Sequence, residues 1–342
     1  MRLVVTGAAG FIGSAFVRAT LSRGEGAEIL ALDSLTYAGN LENLAPVANS
    51  PGFELERLDI RDREGLSRSF ERFRPDVVVH CAAESHVDRS ILSPADSVAT
   101  NVLGTAVLLE VARDHHPRLF LHVSTDEVYG SIDAPGVASE SALLSPTSPY
   151  SASKAGSDHL VLAYGRTFSL PVIVSRATNN YGPYQFPEKL IPLVVSNALC
   201  DLPLPVYGDG LQVRDWLHVD DHCRAIDALI ARGQPGSIYN VGGDSPLSNI
   251  ELVRSVLRIC GKPESLIQHV PDRPGHDRRY AISSERIRRE TGWAPSVDFD
   301  EGLRSTVEWY RRNPGWVERV RSGDYLRYYE RNYAARGASL PR

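Results

Sequence analysis

The sequence predicts an α/β protein: a doubly wound parallel sheet with helices on both faces, then a smaller C-terminal mixed α/β domain. Three observations predict it. Short apolar stretches alternate with helical ones through about residue 180. The first apolar stretch runs straight into glycines that open a helix. After residue 180, proline-rich turns such as GPYQFPEKLIP and LPLPVYGDG break the alternation.

The elements follow in order. RLVVTGAAG is a strand ending in glycines, and GSAFVRATLSRG a helix closed by Gly24. EILALDS is a second strand with an acid at its end. FELERLDIRD is a third, followed by the helix REGLSRSFERF. PDVVVHCAAES is a fourth strand, SVATNVLGTAVLLEVARDHH a long helix and RLFLHVST a fifth strand. SPYSASKAGSDHLVLAYGRTF is a helix, and PVIVSRAT a sixth strand. Near-continuous apolar strands separated by helices mean a parallel sheet buried on both faces. Residues 1–180 are read as the first domain and 181–330 as the second. The second is discontinuous, because some strands and helices of about 212–245 return to the first domain, with a strand near GSIYNVGG joining the large sheet.

Composition narrows the function classes. A formal net charge of −5 argues against a nucleic-acid surface, which needs a basic patch. Four scattered cysteines, Cys81, Cys200, Cys223 and Cys260, suit a reducing cytosol and lack the spacing of a structural zinc site. The N-terminus reaches a glycine loop within seven residues, so no signal peptide precedes it, and no apolar run is read as long enough to span a bilayer. These features predict a soluble cytoplasmic protein with no nucleic-acid or membrane partner. The Arg-rich end, RYYERNYAARGASLPR, mixes in acids and aromatics and reads as solvated surface.

TGAAGFIG sets Gly7, Gly10 and Gly13 after a strand and at the start of a helix, as in a Rossmann-type dinucleotide site. The spacing is Gly-x-x-Gly-x-x-Gly rather than Gly-x-Gly-x-x-Gly, but the physics is shared. Small residues let the backbone approach a pyrophosphate, and the helix N-terminus favours its charge. Asp33, ending the second strand, sits where a carboxylate takes the ribose hydroxyls of NAD and repels the extra phosphate of NADP. Asp59 and Ile60, at the end of the third, would suit the adenine edge; Asp59 as a helix cap is the alternative.

SPYSASK places Tyr150 and Lys154 on one helix face. An ammonium beside a phenol should lower the phenol's pKa, letting it take a hydroxyl proton while a hydride leaves carbon. Upstream, STDEVYG puts Thr125, Asp126 and Glu127 at a strand end. Adjacency and burial raise the pKa of one member of a carboxylate pair, so one acid can stay protonated near neutral pH.

Together these stretches resemble the extended short-chain dehydrogenases/reductases. The Asp126–Glu127 pair resembles the dTDP-glucose 4,6-dehydratases; in sugar-nucleotide 4-epimerases small or uncharged residues follow the Ser/Thr. AAESHVDRS (82–90), NNYGPYQFPEKLIP (179–192), YGDG (207–210), VRDWLHVDDH (213–222), NVGG (240–243) and DRPGHDRRYAI (272–282) extend the resemblance over nearly the whole chain.

The resemblance implies a mechanism. Tyr150 takes the proton of the sugar's 4-hydroxyl while hydride passes from carbon 4 to NAD, with Thr125, rather than Ser124, completing the oxidation set. Glu127 removes the proton on carbon 5, protonated Asp126 helps the 6-hydroxyl leave as water, and hydride returns to carbon 6. It further implies that NAD, which stays bound, contacts Gly7, Gly10, Phe11, Ile12 and Gly13. Asp33, Ser34, Leu35, Thr36, Asp59 and Ile60 would follow from the next two strand ends. Cys81, Ala82, Ala83, Ser85, Thr100, Tyr150, Lys154 and Asn180 complete the cofactor set. Ser85, Thr125, Asn179, Lys189 and Leu190 would line the sugar and its phosphates. Pro205, Val206 and Tyr207 would hold the base. Arg214, Asn249, Arg273 and His276 would bind the diphosphate or the nucleoside ribose.

Bland alternatives stand beside these readings: an ion pair with Asp215 for Arg214, an ordinary loop histidine for His276, simple packing for Tyr207. His218 and His222 are read as structural, and no metal is expected. The resemblance also implies a homodimer through the apolar faces of SVATNVLGTAVLLEVA and the Tyr150 helix. The alternatives in function are a 4-epimerase, a UDP-sugar dehydratase and, more remotely, a non-catalytic NAD-sensing protein.

Overall fold

The computed structural model describes residues 1–321 and 324–333. In the first part of the chain, β1 (Arg2–Thr6), α1 (Phe11–Ser22), β2 (Glu28–Asp33), β3 (Phe53–Arg57), α2 (Arg63–Phe73) and β4 (Val77–His80) follow one another. Next come α3 (Val87–Leu92), α4 (Pro94–Val98) and α5 (Thr105–His115), the last two joined by a π-helical segment at Ala99–Gly104. Then follow β5 (Leu119–Thr125), a 3₁₀ turn at Asp126–Tyr129, α6 (Pro149–Phe168) and β6 (Val172–Ala177). Later elements are β7 (Asn179–Tyr181), α7 (Leu190–Leu199), β8 (Leu204–Tyr207), β9 (Val213–His218), α8 (Val219–Arg232), β10 (Ser237–Val241) and β11 (Pro246–Ser248). The chain continues through α9 (Asn249–Cys260), β12 (Ile267–Val270), α10 (Glu285–Thr291), α11 (Phe299–Arg312), α12 (Pro314–Val320) and α13 (Asp324–Tyr333).

Seven parallel strands form the main sheet in the order β10-β6-β5-β4-β1-β2-β3. The order reverses between β1 and β4, which opens a crevice at their carboxyl ends. Every residue of β4, β5 and β6 is buried, as a sheet covered on both faces requires. β3 departs from this pattern: as the edge strand it is largely exposed, which explains its charges. β10 pairs with β6, so GSIYNVGG does return to the large sheet. A three-stranded sheet (β11-β9-β7) and a two-stranded one (β12-β8) stand beside it. A second apolar cluster, with Ile191, Val195, Val253, Leu303 and Tyr310, binds α7, α9 and α11 together.

Two readings from the sequence are corrected. α4, the π-helical segment and α5 form one continuous helix, Pro94–His115, which by length and composition alone is long and apolar enough to cross a membrane. Its length comes from the π segment bridging what would otherwise be two shorter helices, and it packs on α2 and α6. The Arg-rich end is not simply solvated: Tyr325, Tyr328, Tyr329 and Tyr333 of α13 are buried. Their spacing places them on one helical face, while the charged residues between them obscured that stripe in the sequence. The rest of that stretch, 334–342, lies outside the described residues.

Candidate active site

The glycine loop fits a closely approaching ligand backbone. Gly7 has φ +65°, and a Cβ there would lie 2.7 Å from the Ala82 backbone, at the crevice between β1 and β4. A Cβ on Gly13 would fall 2.2 Å from the Gly7 carbonyl oxygen. Gly10 is the N-cap of α1, so that helix's first N–H groups open onto the loop. Asp33 accepts from the Ala9 N–H at 2.9 Å and from the Leu35 N–H at 2.7 Å, one per oxygen. Burial pushes its carboxyl up and these two bonds oppose the rise. Each oxygen keeps a further acceptor site for a hydroxyl.

A cleft of about 690 Å³ extends from this loop and is lined by Gly7, Gly10, Phe11, Ile12, Gly13, Asp33, Ser34, Thr36, Asp59 and Ile60. Cys81, Ala82, Ala83, Ser85, Thr100 and Asn180 continue its wall. Two expected cofactor residues do not reach it. Leu35, at φ 55°, packs against the apolar core, and Lys154 lies behind Tyr150 in the interior. Asp59 lies two residues beyond β3 and is bonded by Arg61 at 2.6 Å; Asp62, not Asp59, caps α2.

Thr125, Asp126, Glu127 and Tyr150 close the inner end of the cleft. The Thr125 hydroxyl accepts the Glu127 N–H at 3.2 Å, which turns the chain at the end of β5 and presents both acids side by side. Asp126 is only 2% exposed, and its Oδ2 has no hydrogen-bond partner among the described residues. Burial, then the negative Glu127, pushes its carboxyl well above the usual carboxylate range. Glu127 is half-buried.

Ser148 and Ser151 cap α6 reciprocally, fixing its first turn and with it Tyr150. The expected lowering of the Tyr150 pKa is not what the structure shows. Burial, then the charges of Glu127 and Asp126, push the phenol above its ordinary value, and a hydrogen bond with Thr125 only opposes this. The reason lies in Lys154. Its ammonium donates to the Val123 carbonyl at 2.8 Å and contacts His122 Nε2 at 3.3 Å, so it is held to the strand and not to the phenol. Burial lowers its pKa to about 8.

A second pocket, of about 130 Å³, adjoins the cleft, and Glu127, Asn179, Glu188 and Lys189 line both. Its other walls include Leu190, Pro205, Val206, Tyr207, Arg214, Asn249, Arg273 and His276, all expected to contact a substrate. Arg214 does not pair with Asp215. Its guanidinium donates to the Val213 and Asp277 carbonyls and lies 4.1 Å from the Tyr280 ring centroid. Asp215 instead accepts from the Gly243 and Ser245 N–H groups. Arg273 lies 3.5 Å from Asp88, and His276 contacts Asp272 at 2.6 Å. Burial and neighbouring Arg273 push His276 down to about 4, so it is neutral. Lys189 reaches the Ser85 carbonyl at 2.5 Å. Outside the pocket, His218 caps α8 and His222 bonds Asn180 at 2.8 Å.

This arrangement, a glycine-loop cleft meeting a pocket that carries Arg214, Arg273 and Lys189 across a Tyr and two acids, can be compared with known proteins. A dTDP-glucose 4,6-dehydratase of Shigella flexneri is 49% identical over 98% of this chain and 100% of its own length. The chain belongs to the dTDP-glucose 4,6-dehydratase family. A second member, from Neisseria meningitidis, is 50% identical over 95% of this chain and 97% of its own length. The family model described as GDP-mannose 4,6 dehydratase matches residues 4–306. The crystal structure of DesIV, a dTDP-glucose 4,6-dehydratase from Streptomyces venezuelae with NAD and dTDP bound, is 52% identical with a TM-score of 0.91. It covers 94% of this chain and 100% of its own. A UDP-glucose 4-epimerase from Thermotoga maritima, solved with UDP-glucose, has a TM-score of 0.86 at 30% identity over 92% of this chain and 100% of its own.

For a dTDP-glucose 4,6-dehydratase family member, the motifs missed part of this site. Arg89 lies between two rings, 3.7 Å from the Tyr37 centroid and 4.3 Å from that of Tyr328, and donates to Glu188 at 2.8 Å. Tyr37, Arg89, Glu188, Trp316 and Tyr328 line the cleft; Asp88, Tyr280 and Tyr333 line the second pocket. HVDRS and RRYAI carried some of these, but nothing local marks Trp316, Tyr328 or Tyr333 as wall residues.

Proposed function

We propose that this chain is an NAD-dependent hydro-lyase that converts dTDP-glucose to dTDP-4-keto-6-deoxyglucose and water. One observation carries the reading: a buried Asp126 and a half-buried Glu127 sit beside Tyr150 where the two compartments meet. The epimerase structure shares the fold, so the fold alone does not separate the two reactions. The acid pair does, because epimerisation calls for no elimination.

The residues present fit a nicotinamide dinucleotide. The loop from Gly7 to Gly13 has no room for side chains at two of its glycines, α1 starts there, and Asp33 ends β2. NAD supplies the redox step, accepting hydride from carbon 4 and giving it back at carbon 6. Tyr150, assisted by Thr125, takes the proton of the 4-hydroxyl as phenolate, a form that the positive nicotinamide ring of bound NAD would favour against the burial and nearby acids that raise this phenol. Glu127 removes the proton on carbon 5, which the new ketone acidifies. Asp126, kept protonated by burial, donates to the 6-hydroxyl, and water leaves. Glu127 then returns its proton to carbon 5, and the proton held by Tyr150 balances the one Asp126 gave. Arg214 and Arg273 suit the diphosphate, with Asn249, Tyr207 and His276 toward the nucleoside.

A homodimer fits the uncovered apolar side chains Val98 and Leu103, which are more than half exposed on the Pro94–His115 helix. We place the enzyme in the cytoplasm, acting on a small sugar nucleotide rather than on nucleic acid or membrane. The test is purified protein with dTDP-glucose and no added NAD. A 4-keto-6-deoxy product supports the reading. A 4-epimer, or no turnover even with NAD supplied, overturns it. UDP-glucose in parallel decides the base.

A further inference from the structure

Behind Lys154 lies a fully buried polar chain that the proposed reaction does not use. Tyr150, Lys154 and Asp158 follow one another at four-residue spacing, on one face of α6. Asp158 is fully buried, and Arg176 on β6 donates to its Oδ2 at 2.8 Å. Arg176 also donates to the Tyr129 hydroxyl at 2.9 Å, which donates in turn to Asn240 at 2.8 Å. The other oxygen of Asp158, Oδ1, is buried with no hydrogen-bond partner among the described residues and lies 3.5 Å from His122 Nε2. That same nitrogen is 3.1 Å from Ser157 Oγ and 3.3 Å from Lys154 Nζ.

We propose that Asp158, one turn beyond Lys154 on the same buried helix face, is a positioning residue that holds Lys154 in its charged form. Burial lowers the Lys154 pKa to about 8, and the Asp158 charge is the first influence opposing that fall. Without it, the ammonium would lose its proton nearer neutral pH. The groups that face Lys154 are few: Cys81 and His80 from the β4 side, His122 and the Val123 carbonyl from β5, and Asp158 on its own helix. Burial and the neighbouring cations keep both histidines neutral, which leaves Asp158, bonded by Arg176, as the one carboxyl group among them.

Structure alone gives no reason for the arrangement. A buried ion pair is often replaceable by apolar residues without loss of stability, and a bare buried carboxylate oxygen is a cost. Here that cost faces the lysine next to Tyr150.

The inference rests on the proposed function for its kinetic test and has a second test that does not. In a Glu127→Gln background, where oxidation is expected to outrun elimination, the formation of reduced nicotinamide after mixing with dTDP-glucose is followed against pH. With Asp158→Asn, the limb set by Lys154 should move down by about one pH unit or more, while Asp158→Glu should keep it. If Asp158→Asn does not fold, Asp158→Thr, which removes only the carboxylate and keeps the Arg176 charge, should show the same shift. In parallel, nitrogen NMR of labelled lysine in cofactor-free protein titrates Lys154 directly and should show the same fall. Superposable titrations in wild type and in Asp158→Asn, or in Asp158→Thr, overturn the inference. If no reduced nicotinamide forms at all, the proposed reaction fails and the NMR titration still decides the role of Asp158.

Discussion

On one side of the cleft, Gly7 to Gly13, Thr125 to Glu127 and Tyr150 stand on strand ends and helix starts of the main sheet. On the other side, Trp316 and Tyr328 lean in from α12 and α13. The first side is fixed by backbone: cramped glycines, a strand-end turn capped by Thr125, a helix start capped by Ser148 and Ser151. The second is held by side chains alone. Trp316 donates to Asn43 at 3.1 Å, and Asn43 donates to the Ala9 carbonyl of the glycine loop at 3.0 Å. Tyr328 covers Arg89 and bonds His86, while Tyr333 stacks on Tyr207. The difference teaches a division of labour. The sheet side places reacting groups on backbone that is fixed locally; the helical side walls the cleft through side-chain contacts between distant segments.

The largest effect should come from the sheet side. Glu127→Gln is expected to cut turnover by about 10²–10⁴-fold and to leave reduced cofactor in the site, measured by its absorbance. Asp126→Asn should lose water elimination more than oxidation. If either turns over normally, the assigned roles are wrong.

Next is Gly13→Ala, whose Cβ would meet the Gly7 carbonyl. It should cost about 1–3 kcal/mol in stability and strip NAD during purification, read by thermal melting and by cofactor content. Retained NAD would mean that the loop yields more than its geometry implies.

Smaller still is the helical side. Tyr328→Ala removes a ring from Arg89, worth about 0.5–2 kcal/mol, and should speed exchange of labelled NAD by up to about tenfold. Unchanged exchange would remove α13 from the closing wall.

The smallest effects are in pH dependence. Asp126 acts as an acid and its pKa is raised, so activity should persist through neutral pH and fall as pH climbs through that raised value. Lys154 acts in the opposite sense on stability. Its folded pKa of about 8 lies below its ordinary 10.5. Between those values the unfolded chain binds a proton that the folded chain does not, so this group's contribution to stability rises with pH there. Melting of wild type against Lys154→Met across that range checks the sign.

The sheet side was legible in the sequence because its logic is local. A glycine triplet between strand and helix, an acid at a strand end and a Tyr four residues before a Lys each announce their position. REGLSRSFERF gave α2 to the residue, since Asp62 caps it and Phe73 precedes a left-handed Arg74. What the sequence concealed depends on contacts between distant segments. Lys154 sits on the expected face, but only the folded β5 shows that the Val123 carbonyl and His122 take its ammonium. Arg214 adjoins Asp215 in sequence, yet alternation along β9 sends the two side chains to different partners. The tyrosines of α13 had helical spacing, but their intervening charges read as solvated surface.

The account's central claim is that one site oxidises carbon 4, eliminates water and returns the same hydride to carbon 6. dTDP-glucose deuterated at carbon 4, given to purified protein without added NAD, tests it most directly. The account predicts a 4-keto-6-deoxy product with deuterium on carbon 6. Deuterium still on carbon 4 of an epimerised sugar, or a product that has lost its label to solvent, would contradict it.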